Sequence, residues 1–241
     1  MRMRKKPRGA QRLSVLSAIT ASPAAEGGPV ELSFAKNLPL RLEIGCGKGD
    51  FICALSRRES SYNYIALERC ADVAVIAMEK YARDRGLGKP HPQGGWETPE
   101  GVVYKDTPWD IPLEARGNVR FLPGDAGRLT EYFARDTFES IYANFSDPWP
   151  KKGHARRRLT HPDFLERYLY LLQPGGYFRF KTDNADLFAY SLEMLEASPF
   201  TVMFVTHDLH ASERKAENIM SEYEKNFTKR GLPIHMVEAR K

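Results

Sequence analysis

Leu38-Pro39-Leu40-Arg41-Leu42-Glu43-Ile44-Gly45-Cys46-Gly47-Lys48-Gly49-Asp50 is the stretch from which the fold is read. The run from Leu38 to Ile44 is rich in branched apolar residues and stops at glycine, as a buried strand of a parallel sheet does. Gly45, Gly47 and Gly49 then let the chain turn tightly. Phe51 to Leu55 begins a helix, so the stretch is the head of an α/β unit.

The same alternation continues outward from this stretch. Tyr62 to Leu67 reads as a second strand ending at Glu68, and Asp72 to Arg83 as a helix with Val73, Ile76, Ala77 and Tyr81 at helical spacing. Val119 to Leu122 is a third strand that stops near Asp125. Leu129 to Phe133 is a short helix, and Ser140 to Asn144 a fourth strand. Thr160 and Pro162 prime a helix over Asp163 to Leu172, Pro174-Gly175-Gly176 makes a turn, and Tyr177 to Lys181 is a fifth strand. A helix over Ala185 to Leu195, a strand over Thr201 to Val205, a helix over Asn218 to Lys229 and a strand over Ile234 to Val237 complete the series. This pattern predicts an α/β, Rossmann-like, mostly parallel, doubly wound seven-stranded sheet with helices on both faces. Ligands of such a sheet sit at the carboxyl ends of its strands, where Glu43, Glu68, Asp125 and Asp147 all fall. Residues 86–117 break the rhythm with six Gly and five Pro, which marks an insertion in which Val102-Val103-Tyr104 forms a small hairpin. Residues 1–35 read as a basic arm and linker, and 36–241 as one domain.

Charge points to the partner. The chain has 241 residues, with 36 Lys and Arg against 31 Asp and Glu. Arg2, Arg4, Lys5, Lys6, Arg8 and Arg12 form one acid-free cluster. Lys151, Lys152, Arg156, Arg157 and Arg158, with His154, form another. Two such clusters suit a phosphate-rich partner, although either alone reads as solvated surface. Three unpatterned cysteines argue against disulfides and against a metal site. No apolar run reaches the length of a membrane span, and Pro7 and Gly9 interrupt any amphipathic leader, so a cytoplasmic protein is expected.

The glycines do not make a dinucleotide fingerprint, because the third fingerprint position is Asp50. A carboxylate there repels a pyrophosphate and competes for the same backbone N–H groups, which argues against a nicotinamide oxidoreductase. It tolerates a cofactor with cationic parts. S-adenosylmethionine, with its ammonium and sulfonium, fits beside Glu43 and Asp50, and the glycines let the backbone approach its aminoacid moiety. Glu68 lies 23 residues beyond Gly45, where a carboxylate accepts both ribose hydroxyls; alternatively it caps a turn or pairs with Arg69. Asp125 either accepts the exocyclic amine of adenine or shapes the turn after Gly124.

Asn144-Phe145-Ser146-Asp147-Pro148-Trp149-Pro150-Lys151-Lys152 sets an acid, stiff aromatic and proline walls, and cations where the fourth strand ends. Together with Leu42 to Gly49, His154, Arg157-Arg158-Leu159, Phe180-Lys181-Thr182-Asp183-Asn184 and Asn218-Ile219-Met220-Ser221-Glu222-Tyr223-Glu224, it makes the chain resemble the bacterial tRNA (guanine-N7)-methyltransferases, of the class I S-adenosylmethionine-dependent type. The likeness covers most of residues 36–238. It implies methyl transfer to N7 of a guanosine in tRNA, in the variable loop; the sequence leaves monomer and homodimer both open. It also implies a cofactor site at Glu43, Glu68, Asp125 and Asp147, with Asp147 as catalytic residue. The substrate site it implies is Lys151, Asp183 and the segment Ser221, Glu222, Tyr223 and Glu224. The chain departs from the family in having Ser221 where Thr is usual, Arg8 where an aromatic is frequent, and the 86–117 insertion.

N7 of guanine already carries an in-plane lone pair, so its methylation needs positioning rather than a base. Asp147 either accepts hydrogen bonds from the N1–H and N2–H edge or stabilises the cationic product. Asp183 either joins it or caps the helix from Ala185, a role Asn184 also suits. Trp149 is expected to be exposed and Phe145 to pack in the core; without the resemblance, Tyr223 and Glu224 would read as core and salt bridge. The rival functions are a class I methyltransferase aimed at an exocyclic amine, since Asp-Pro-Trp-Pro resembles the acid-Pro-Pro-aromatic motif, and a nucleic-acid-binding protein that keeps the fold without turnover.

Overall fold

The computed structural model describes residues 9–23, 28–93, 95–104 and 111–241, so Arg2, Arg4, Lys5, Lys6 and Arg8 lie outside the described residues. In chain order the elements are α1 (Gly9–Val15), β1 (Leu40–Ile44), α2 (Asp50–Arg58), β2 (Asn63–Glu68), α3 (Ala71–Asp84), β3 (Lys89–Pro90), β4 (Trp96–Thr98), β5 (Gly101–Val103), β6 (Val119–Pro123), α4 (Leu129–Tyr132), β7 (Phe138–Asn144), α5 (Pro162–Leu171), β8 (Leu172–Thr182), α6 (Ala185–Glu196), β9 (Thr201–Thr206), α7 (Glu222–Thr228) and β10 (His235–Arg240).

The main sheet runs β6-β2-β1-β7-β8-β10-β9. The pairs from β6 through β8 are parallel, and β10 runs antiparallel to both β8 and β9. The chain winds outward from β1 to β6, then returns to β7 on the other side. The strand order therefore switches between β1 and β7, and a crevice opens beyond their carboxyl ends.

Alternation along each strand sends side chains to two faces. Leu42, Ile44, Ile141, Ala143, Phe178 and Phe180 pack beneath Leu129 of α4, Leu165 of α5 and Leu187 of α6. Tyr64, Phe121 and Tyr142 pack on the other face with Phe51 of α2 and Met78 and Tyr81 of α3. Both faces are covered, which is why the central strands read as almost continuous apolar runs.

Three sequence expectations are corrected. The helix expected from Asn218 begins only at Glu222, with Ser221 as its N-cap: the Ser221 hydroxyl accepts from the Glu224 N–H at 3.1 Å. Pro174-Gly175-Gly176 is not a free turn but an irregularity within β8, across which the register against β7 jumps from Phe138↔Leu172 to Ser140↔Tyr177. The stretch after the basic amino-terminal residues is packed on the domain rather than linking to it, because Val15, Leu16 and Ile19 are buried against the α3 face and Ala21 N–H donates to the Phe121 carbonyl. The insertion carries a three-stranded sheet, β3-β4-β5, in which Val103 pairs with Trp96. Trp96 is its anchor, buried with its indole N–H on the Leu87 carbonyl. No helix among the described residues is long and apolar enough to cross a membrane.

Candidate active site

Strands β1, β2, β6 and β7 each end in or just before an acid. The turn after β1 is shaped by backbone. Gly47 has φ +55° and Gly49 φ +81°, a region side-chain-bearing residues rarely occupy, and a Cβ on Gly49 would stand 2.8 Å from that of Ala77 on α3. Glu68, at the end of β2, accepts from the Gly47 N–H at 3.1 Å and from the Cys70 N–H at 2.8 Å. One carboxylate thus splints the glycine turn to the second strand. Asp125, beyond β6, accepts from the Gly127 N–H at 2.7 Å. The capping alternatives for Glu68 and Asp125 are therefore present. Neither is saturated, since a carboxylate has about four acceptor positions.

Glu43 is only 2% exposed. Its Oε1 accepts from Asn144 Nδ2 at 3.1 Å, while Oε2 is buried with no partner among the described residues. Burial pushes its carboxyl up to about 7, against the pull of Asn144 and Lys181 and with a further push from Glu68 and Asp50. A buried carboxylate with one unpartnered oxygen, two residues before Gly45, has the chemistry that suits a cation. Asp50 is already countered, by an ion pair with Lys80.

The crevice is a cavity of about 440 Å³ bordered by Gly45, Glu68, Asp125, Ser146, Asp147 and Trp149. It brings together three of the four expected acids; the buried Glu43 is not on its lining, although the next residue, Ile44, is. A larger hollow of about 610 Å³ sits at the amino ends of β2 and β6, beside Asn63 and Asn118, away from this cluster. Phe145 and Trp149 both hold positive φ, 54° and 43°, on either side of Asp147. Such angles are strained for aromatic residues, and Trp149 additionally precedes Pro150. The strain is held by Arg158, whose guanidinium donates to the carbonyls of Pro148 and Trp149 at 3.1–3.3 Å, and by Arg157, whose Cζ lies 4.8 Å from the centre of the Trp149 ring. Trp149 is half-buried rather than exposed, and Asp147 is exposed.

The far side of Phe145 carries the residues expected to meet substrate. Asn184, not Asp183, caps α6, its Oδ1 accepting from the Leu187 N–H at 2.7 Å. Asp183 is left free of that duty. Tyr223 is 47% exposed, with its ring 5.2 Å from that of Phe145. Glu222 meets Lys48 of the glycine turn at 3.0 Å. Lys151, Lys152, Arg156 and Arg157 are exposed. Glu224, by contrast, has no exposed surface and is paired with Lys181 at 2.7 Å. The sequence singled out neither Asn144 nor Lys181 for a role. Nothing local marked them: Asn144 ends β7, which also holds Glu139 and Ser140, and Lys181 is the last residue but one of β8, which also holds Arg179 and Thr182.

A family model described as "Putative methyltransferase" matches residues 37–237. A tRNA (guanine-N(7)-)-methyltransferase of Brevibacillus brevis is 37% identical over 239 residues, covering 99% of this chain and 98% of that protein. The chain belongs to the tRNA (guanine-N7)-methyltransferase family. Another relative of that name, from Latilactobacillus sakei, is 35% identical over 99% of both chains. Among solved structures, the 16S rRNA methyltransferase KamB superposes with a TM-score of 0.53 at 10% identity, over 89% of this chain and 96% of that one. That likeness shows the class I methyltransferase fold alone.

Proposed function

We propose that this chain transfers the methyl group of S-adenosylmethionine to N7 of a guanosine in the variable loop of tRNA. What carries the proposal is the gathering of Glu68, Asp125 and Asp147, which end or follow β2, β6 and β7, on a single crevice that also borders Ile44 and Gly45, next in sequence to the buried Glu43 of β1, in a member of this family. Three acids on one cleft, with an orphaned Glu43 oxygen on the adjoining residue, suit a cationic nucleoside cofactor and repel a pyrophosphate one.

Glu43 and the turn Gly45, Gly47 and Gly49 hold the aminoacid end of the cofactor, Glu68 its ribose hydroxyls and Asp125 its adenine amine. When bound, S-adenosylmethionine supplies an electrophilic methyl on a cationic sulfur. Asp147 stands at the junction of this site with the substrate side and is the catalytic residue. N7 needs no deprotonation, so Asp147 acts by orienting the guanine edge or by countering the charge that develops on the base. Asp183, Ser221, Glu222 and Tyr223 face it across Phe145, with Lys151 on the phosphates; Glu224 belongs to the same segment but acts from within. Residues 36–241 form the catalytic domain, and the basic amino-terminal residues add positive charge for tRNA, in the cytoplasm.

The test is incubation of the purified chain with unmodified tRNA transcript and methyl-labelled S-adenosylmethionine, followed by borohydride and aniline cleavage at 7-methylguanosine. Cleavage at one variable-loop guanosine is expected. Label recovered only on an exocyclic amine, or no label, overturns the reading.

A further inference from the structure

The wall that carries Tyr223 has little of its own to hold it in place. It is built from two 3-10 turns, Leu209–Ala211 and Glu213–Glu217, then an extended piece, then the seven-residue α7. A helix that short is not stable alone. Between Ser212 and Thr228 the buried side chains are only Ile219 and Glu224.

What fixes this wall is a cation from the sheet. Lys181 of β8 is 1% exposed, and its ammonium donates to Glu224 Oε2 at 2.7 Å, Asn218 Oδ1 at 3.1 Å and the Ile219 carbonyl at 3.0 Å. An ammonium has three protons, and all three go to this one segment. Both oxygens of Glu224 are engaged: Lys181 holds Oε2, while Asn218 Nδ2 donates to Oε1 at 2.5 Å and His210 Nε2 lies 3.1 Å from the same oxygen. Phe51 and Phe145 flank the ammonium, their ring centres 5.1 and 5.9 Å away. Lys181 pairs in register with Asn144, the residue that holds Glu43, so only β7 separates the anchor of the wall from the strand of that acid.

We propose that Lys181 and Glu224 are positioning residues, whose buried ion pair sets the segment Asn218–Tyr223 so that Tyr223 rests on Phe145 as the stacking surface for the target guanine. Glu224 then never touches the base. Phe227 also supports the ring of Tyr223, at 4.5 Å and nearly parallel, while 47% of Tyr223 stays exposed. Burial first, then the charge of Asp183, against that of Arg230 and with a further push from Asp147, raises its hydroxyl above the ordinary tyrosine value.

The inference rests on the methyl-transfer reading above, and the experiment separates the two. Steady-state transfer to tRNA transcript is compared for the wild-type chain, Glu224→Gln, Lys181→Met, Tyr223→Ala and the Glu224→Gln/Tyr223→Ala double variant. Affinity for S-adenosylhomocysteine is measured by calorimetry, and the guanosine-over-inosine preference at the target position by competition. Glu224→Gln and Lys181→Met are each expected to lower kcat/KM for tRNA by roughly ten- to a hundred-fold, as displacement of a positioned wall does, with cofactor affinity near wild type. Tyr223→Ala is expected to cost about ten-fold in the wild-type background and almost nothing further once Glu224 is Gln. The guanosine-over-inosine preference stays at its wild-type value in Glu224→Gln, since a carboxylate that does not read the N2 amine cannot lose that discrimination. Collapse of the preference in Glu224→Gln, full additivity with Tyr223→Ala, or wild-type kinetics in Lys181→Met overturns the inference. Glu224→Gln keeps the shape of the side chain and carries the test even where Lys181→Met does not fold. A wild-type chain that makes no 7-methylguanosine overturns the functional reading itself.

Discussion

Asn144 Nδ2 donates to Glu43 Oε1 at 3.1 Å, bridging β1 and β7 at the point where the strand order reverses. The amide satisfies one carboxylate oxygen and leaves the other buried and open. Without ligand, burial keeps the Glu43 carboxyl near 7 rather than 4.5, so it carries a proton over much of the weakly acidic range. The sign follows from proton counting. Between pH 4.5 and about 7 the folded chain binds more protons at this site than the unfolded chain, so stability falls as pH rises through that window. A cationic ligand selects the ionised form. Affinity for S-adenosylhomocysteine, which keeps the ammonium, should therefore rise with pH up to about 7 and level off above it, approaching ten-fold per unit on the acid side. Glu43→Gln should stabilise the ligand-free chain at pH 8 while abolishing that pH dependence and most of the affinity. Calorimetric titrations at several pH values check this, and a flat profile in the wild-type chain would contradict it.

The strained pair around Asp147 makes a separate prediction. Trp149 sits at φ 43° before a proline, held by Arg158 on its carbonyl and Arg157 over its ring. Alanine removes the ring and keeps the strain, whereas glycine removes both. Trp149→Gly should therefore unfold at higher urea than Trp149→Ala, by about 1 kcal/mol in stability. Both should lose kcat/KM together, for want of the ring that borders the crevice. Equal urea midpoints would mean that the left-handed backbone is not imposed at this position.

Arg12 belongs to the basic amino-terminal run, yet its guanidinium is bidentate on Glu79 of α3, at 2.5 and 2.6 Å. The Glu79 side chain is only 8% exposed. Truncating the arginine would leave that carboxylate buried without its cation, so Arg12→Met should destabilise the chain by on the order of 3 kcal/mol. Pairing it with Glu79→Met should recover most of the loss. Thermal melts of the two variants decide the point. Transfer RNA affinity, measured well below the melting range, should barely change.

The sheet was legible because its strands are buried on both faces: Tyr64–Leu67 is an unbroken apolar run, and Leu40–Ile44 and Tyr177–Phe180 are apolar but for Arg41, Glu43 and Arg179. The acids at their ends followed, since topology alone places strand termini side by side. Residues 218–224 were not legible in the same way. Ile219, Tyr223 and Phe227 recur at helical spacing, and nothing local distinguishes a continuous helix from an extended piece capped at Ser221. What breaks the helix is tertiary: Lys181, 37 residues upstream of Asn218, takes the Asn218 side chain and the Ile219 carbonyl for itself. Lys181 also reads as an ordinary basic residue until the fold closes a shell over it. Asn184 is the opposite case, because its cap on α6 is local, and the choice between it and Asp183 needed only the backbone geometry.

The exposed basic segment yields a test that depends on salt. Lys151, Lys152, Arg156 and Arg157 are all exposed around the 3-10 turn Lys152–Arg157, whereas Arg158 is turned inward onto the Trp149 carbonyl and lies over the Tyr190 ring. On the proposed reading the outward group neutralises phosphates and releases their counterions, whereas Arg158 holds the loop. Lys151→Ala should weaken tRNA binding several-fold near physiological salt, reduce the slope of log K against log salt by about 1, and leave S-adenosylhomocysteine affinity unchanged. Arg158→Ala should do the reverse. It should leave the slope almost intact, because no phosphate contact is lost, while lowering kcat through a misplaced Trp149 and Asp147. Binding isotherms at four salt concentrations separate the two variants. A reduced slope in Arg158→Ala, or parallel losses of tRNA and cofactor in Lys151→Ala, would reassign which of these cations faces the nucleic acid.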